Sequence, residues 1–190
     1  MRSPIKSNQI DMLHGGLLGK LVLFALPLGL VVSFGSMSRC KPLAGVVKTF
    51  VWVIRGTPLM LQMFAIYFMP YYVFGISLTT DSKWYATIVA FIINYAAYFA
   101  EIYRSGIQSI PRGQYEAAEI LGYSPSQTFV RIVLPQVVKR ILPAVTNEVI
   151  TLVKDTSLAF SIGVIEMFTV AKQLVAAQVS MAPFVIAAVF

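Results

Sequence analysis

The chain alternates long apolar runs with short polar stretches, and the runs are long enough to dominate the reading. The first covers residues 15–37, interrupted by Lys20 and Pro27. A second covers 46–76 and contains the break Arg55, Gly56, Thr57, Pro58, where glycine and proline interrupt helical hydrogen bonding. Such a break survives within a membrane only where protein or a water-filled cavity satisfies the freed backbone groups. Residues 77–83 form a polar turn, and 84–103 follow as the clearest helix, with Trp84 and Tyr85 as an aromatic anchor at its polar end. About thirty polar residues come next, then a less hydrophobic fourth run over 141–167, and a last run from Val175 that stops at Phe190. A hydrocarbon core of about 30 Å takes about 20 apolar residues as a helix. The pattern therefore predicts an all-α polytopic membrane protein with about five transmembrane helices, the last one unfinished.

Composition agrees with the pattern. Hydrophobic residues make up 57% of the 190 and charged residues only 12%, against roughly 25% charged in ordinary soluble domains. The formal net charge of +7 is scattered between apolar segments rather than massed on one polar face, which argues against a nucleic-acid partner. With one cysteine, Cys40, and one histidine, His14, there is no intramolecular disulfide and no metal-ligand spacing. No cofactor is expected, and no signal for cleavage follows the apolar run that starts at Leu17.

The positions of lysine and arginine set an orientation. With the polar stretch after Tyr103 inside, the inner segments hold Arg39, Lys41, Lys48, Arg104, Arg112, Arg131, Lys139 and Arg140, and the outer connections hold Lys83 and Lys172. That bias favours an outside amino terminus, although Arg2 and Lys6 point the other way. Glu101 and Arg104, three apart, are placed to pair on one helical face.

The 111–135 loop has its own local code. Pro111, acidic Glu116 and Glu119, and Gly122 after Leu121 describe a short helix with a glycine stop. Ser124 can cap, and Pro125 can open, a second short helix running to Leu134. Ala117 and Ala118 offer a surface without bulk and Glu116 an acceptor, which suits a knob docked in a partner's socket; by local pattern alone, an interfacial hairpin that joins two spans fits as well.

Over a longer reach the spacing is more specific. Glu116, Ala117, Ala118, Gly122, Ile132, Leu134 and Pro135 follow the order Glu-Ala-Ala, three residues, Gly, nine residues, Ile, one residue, Leu-Pro. This resembles the coupling-loop signature of permease subunits of ABC importers. The stretches 54–59, 95–101, 110–114 and 154–158 are similar to signatures of the polar amino-acid uptake branch of that family. The resemblance covers about residues 40–175, and relatives of this kind continue beyond the position of Phe190. It implies a single permease domain over 1–190 in a bacterial inner membrane, with a cytoplasmic coupling-helix loop at 111–135 between the third and fourth spans. Its implied partners are a cytoplasmic ATP-binding subunit, a second permease subunit and an extracytoplasmic solute-binding protein that delivers an amino acid. The chain itself is not expected to be an enzyme, since no Gly-rich phosphate loop ending in Gly-Lys-Ser or Gly-Lys-Thr is present.

Candidate substrate-path residues lie in the fourth run. An acidic group there is expensive unless paired or facing a polar cavity. Glu148, Thr151 and Asp155 are spaced for one helical face, with Asn147 beside them. The stripe reads either as an amino-acid site suited to a cation or as a structural ion pair in which Lys154 or Arg140 neutralises Glu148 or Asp155. Arg55 reads as a group for a passing carboxylate or as a clamp on the carbonyls of the 56–58 break, and Asn94 as an interhelical hydrogen-bond partner. Tyr67, Phe68, Tyr71 and Tyr72 suit an interfacial belt. The competing functions are an ATP-independent channel or facilitator gated by the hairpin, and an ABC permease for another small solute.

Overall fold

A computed structural model describes residues 7–77, 79–162, 167–178 and 181–183 of the chain, and the described secondary structure is entirely helical. In order come α1 (Ser7–Ser36), α2 (Lys41–Gly56), α3 (Leu59–Phe74), α4 (Thr80–Gln108), α5 (Arg112–Ile120) and α6 (Pro125–Thr128). A π-helical turn (Phe129–Val133) leads into α7 (Leu134–Asp155), a 3₁₀ helix (Thr156–Ile162) follows, and α8 (Met167–Gln178) comes last. Among the described residues, two stretches, Gly19–Ser36 and Ser82–Gln108, are long and apolar enough to cross a membrane, and the broken pair α2 and α3 makes a third if taken as one span.

The predicted break falls where proline puts it. α2 runs through Arg55 and Gly56, and α3 restarts after Pro58, whose φ of −62° and ψ of 135° are extended. The clamp on the break is not Arg55, however. The Gln62 amide nitrogen donates to the Thr57 carbonyl at 3.1 Å and to the Thr57 hydroxyl at 2.8 Å, so the turn is tied by a side chain from the helix that follows it. At its other end α3 stops at Gly75, which has φ 65° and accepts the left-handed conformation that a Cβ would oppose. Tyr67 is buried on α3 and leaves the expected aromatic belt, whereas Tyr71 and Tyr72 are exposed.

Two compact units divide the chain. One comprises residues 1–24, 57–92 and 151–190, and the other 25–56 and 93–150. In the first, α3 packs against the 3₁₀ helix, and buried Ala159 is covered by Phe64 and Trp84. Trp84 is thus partly packed inside, leaving Tyr85, 70% exposed, as the aromatic available to an interface. The fourth run was expected as one helix over 141–167; the helix instead tightens to 3₁₀ geometry at Thr156. The proposed last run, from Val175, lies mostly outside the described residues.

The second unit is built on close helix approach. On α4, Tyr95, Ala96, Ala97, Phe99 and Ala100 are all buried. A Cβ added to Gly29 of α1 would stand 2.8 Å from Phe99 Cβ and 3.0 Å from the Ala96 carbonyl oxygen. Small residues at such crossings bring backbones together, which matters in a membrane because lipid supplies no hydrophobic drive between helices. Further along α4, Gly106 sits so tightly under α7 that a Cβ would collide with Ile141 Cγ2 and lie 3.4 Å from Val137 Cγ1. Gly106→Val is therefore expected to destabilise the fold by about 1–3 kcal/mol through overpacking. Thermal unfolding in detergent checks this, with Gly19→Ala, where nothing lies within 4 Å, as the tolerated control.

Candidate functional site

The 111–135 loop is a rigid element held on a small core of its own. Ile110, Val133 and Val137 are buried together, with Ile107, Phe129 and Ile141 packed around them. Two side chains brace the loop to the long helices. The Arg140 guanidinium donates to the Ser109 carbonyl at 2.6 Å and to its hydroxyl at 3.0 Å, and the Gln136 amide donates to Gln114 Oε1 at 3.0 Å and to the Ile132 carbonyl at 2.9 Å. Arg140, a candidate neutraliser of Glu148 or Asp155 by charge, thus spends its hydrogen bonds on Ser109 at the end of α4.

Each end of the loop's first helix is set by local chemistry. Pro111 precedes α5 in an extended conformation. At the other end, Gly122 has φ 76°, its N–H donates to the Glu119 carbonyl at 2.9 Å, and the Tyr123 N–H reaches the Ala118 carbonyl at 3.0 Å. These are the paired bonds of a Schellman stop, which needs a left-handed residue where glycine stands. Ser124 then caps α6: its hydroxyl accepts from the Gln127 N–H at 3.3 Å, and Gln127 Oε1 accepts from the Ser124 N–H at 2.9 Å, closing a capping box. The second helix does not end at Leu134 as its local signals suggested. It passes through the π-helical turn and continues as α7, a helix of 22 residues.

The seven motif positions divide by exposure. Glu116 and Ala117 face outward on α5, while Ala118 is 1% exposed and turns into the unit, so the surface without bulk is offered by Ala117 alone. Gly122 forms the joint. Ile132 is half-buried on the π turn, and Leu134 and Pro135 are exposed at the start of α7. Beside Glu116 the loop leaves Ile120 87% and Leu121 72% exposed. Neither was singled out from sequence, because both look like ordinary apolar helix positions.

On α7, Asn147, Glu148, Thr151 and Asp155 occupy one continuous helix, and all four engage partners within the structure. Asn147 is exposed; Glu148, Thr151 and Asp155 are half-buried. The Arg55 guanidinium lies over the Tyr98 ring, 5.0 Å from the centroid, a cation–π contact, while Gln62 rather than Arg55 ties the break at Thr57. The Glu101–Arg104 pair forms as spaced, with Arg104 Nε donating to Glu101 Oε2 at 2.9 Å and Nη2 donating to Oε1.

Comparisons with known proteins agree with this architecture. The L-cystine transport system permease protein TcyB of Bacillus subtilis (strain 168) is 38% identical over 152 residues, 80% of this chain and 63% of that protein. The chain thus spans less than two thirds of that relative. The arginine transport system permease protein ArtQ of the same organism is 37% identical over 166 residues, 87% of this chain and 74% of that protein. A solved structure described as an amino acid ABC transporter with histidines superposes with a TM-score of 0.84 at 30% identity, covering 100% of this chain and 91% of that one. Residues 25–190 match the family described as binding-protein-dependent transport system inner membrane component. The chain belongs to that family, whose members are membrane subunits of transporters rather than enzymes.

Proposed function

We propose that this chain is the membrane-spanning subunit of an ATP-driven importer in a bacterial inner membrane, translocating polar amino acids handed over by an extracytoplasmic binding protein. Two permease subunits and two cytoplasmic ATP-binding subunits would complete it. One observation carries the reading: α5 presents Glu116, Ala117, Ile120 and Leu121 to the exterior from a braced loop. Adjacent exposed apolar and acidic side chains on a braced short helix support a docking role for it. The loop runs into α7, so closure of an ATP-binding subunit around α5 would move a helix that carries Glu148 and the polar residues beside it. In this reading the chain is one permease domain, 111–135 is its coupling loop, and α7 and the run from Val175 supply the fourth and fifth spans. Polar amino acids are favoured as cargo because the relatives are named for L-cystine and arginine.

The test is reconstitution of the full complex in proteoliposomes with the binding protein outside and ATP inside. Uptake of a labelled amino acid is expected to require hydrolysable ATP and to proceed against its gradient. Flux that follows the gradient at equal rate without ATP would assign the chain to the channel or facilitator class.

A further inference from the structure

A basic groove runs along α2 in the second unit. Lys41, Lys48 and Arg55 are seven residues apart in turn on one helix. Two helical turns take about seven residues, so the three cations share one face. The outer part of the groove, about 490 Å³, is lined by Lys41 and Lys48 together with Ser36 and Gln108. The inner part, about 340 Å³, lies between Lys48, Trp52 and Arg55 on α2 and Glu101 and Arg104 on α4; both volumes fall in the roughly 300–1,000 Å³ range of ligand pockets.

The charge of this groove is unbalanced. Among the described residues, Glu101 is the one carboxylate lining it, and Arg104 holds both of its oxygens while also donating to Gln108 Oε1 at 2.8 Å. Arg104 and Glu101 therefore cancel. Among the described residues, Lys41, Lys48 and Arg55 form no salt bridge of their own. Three cations share a single helical face, and among the described lining residues the one carboxylate, Glu101, is already held by Arg104, so the face favours negative charge supplied from outside.

Position identifies the source. Ser36 closes the apolar stretch Gly19–Ser36 and Gln108 closes Ser82–Gln108, and both residues line the outer part of the groove. The groove therefore opens at the ends of two apolar stretches and reaches about two turns along α4, from Gln108 to Glu101. Trp52 stands at its side with 77% of its surface exposed, a ring suited to the headgroup level. The charge bias also places this end on the inner side, where membrane lipids carry negative charge.

We infer that this groove binds the phosphate of an anionic phospholipid, with Lys48 and Arg55 meeting the headgroup, Lys41 at the entrance and the Trp52 indole against the upper acyl chain. Each basic residue near a membrane surface contributes about fivefold in affinity for anionic lipid.

The test uses the full permease in bilayers, with Trp84→Phe so that Trp52 is the reporting indole. Its fluorescence is quenched by a minor fraction of phosphatidylglycerol brominated near the headgroup, or by the same fraction of brominated phosphatidylcholine. The relative association constant is expected to favour phosphatidylglycerol at least about fivefold, and Lys48→Ala to lower that preference by about fivefold. Lys172→Ala, on α8, is expected to leave it unchanged. Equal quenching by the two lipids overturns the inference without recourse to any variant, as does a preference that Lys172→Ala lowers as much as Lys48→Ala. A preference that disappears when the ATP-binding subunit assembles assigns the groove to an acidic surface of that partner. Protection of Trp52 by inorganic phosphate in purely zwitterionic bilayers assigns it to a soluble anion; either result overturns the lipid.

Discussion

Glu116→Lys is expected to lower association of the ATP-binding subunit by about a hundredfold and to abolish uptake, while insertion into the membrane and thermal stability stay as they are. The size follows from the interface: reversing a docking charge replaces an attraction by like-charge contact, a change of several kcal/mol, and about 2.8 kcal/mol is a hundredfold in Kd. The fold should be indifferent because Glu116 is exposed and the inward packing of α5 rests on Ala118. The substitution also sets a lysine four residues after Arg112 on α5, worth only a few tenths of a kcal/mol in helix stability. Copurification of the ATP-binding subunit with the variant, compared with Glu116→Gln, reads the effect; normal uptake by Glu116→Lys would remove the docking role.

The Gly122 stop, the Ser124 cap and the break before α3 were readable because each is decided within a few residues: a left-handed φ that favours glycine, a hydroxyl within reach of a free N–H, a proline without one. Apolar run length likewise located α1 and α4, although both helices extend beyond their apolar stretches. The inward turn of Ala118 was hidden because Ala117 and Ala118 are chemically identical, and only the cover over α5 distinguishes them. Arg140 could be assigned to Glu148 on charge alone, yet it bonds Ser109, a residue 31 positions away that no periodicity connects to it. The joint between α6 and α7 looked like a stop because a proline follows Leu134; the π turn carries the helix through. Gln62 carries no local signal, since a lone glutamine in an apolar run does not itself mark a donor to a carbonyl five positions earlier. The groove on α2 was present only as two lysines of an inner segment and the arginine of the break, until the helix placed them at the same angle.

Glu148→Gln carries the second large effect: uptake of arginine is expected to fall about thirtyfold relative to that of cystine, measured in the reconstituted complex. Glu148 is half-buried on α7, and truncating one member of a charge pair in such surroundings costs about 2–5 kcal/mol. The amide keeps the shape and a hydrogen-bonding oxygen, so a neutral substrate should lose little. The rival is a structural ion pair, and helix geometry bears on it. Lys154 lies six residues beyond Glu148, which at 3.6 residues per turn puts it about 120° around α7, while Arg140 bonds Ser109. Neither cation first considered as a neutraliser is therefore on the Glu148 face of its own helix and uncommitted, whereas Thr151 and Asp155 follow Glu148 at three and seven residues. Glu148 and Asp155 both engage partners within the structure, so the selectivity of the loss decides: a cationic substrate passing along this face would meet the carboxylate, whereas a purely structural pair would not distinguish arginine from cystine. Equal loss of arginine and cystine uptake, accompanied by a lowered Tm, would return Glu148 to a structural role; a selective loss at unchanged Tm would make it a specificity residue.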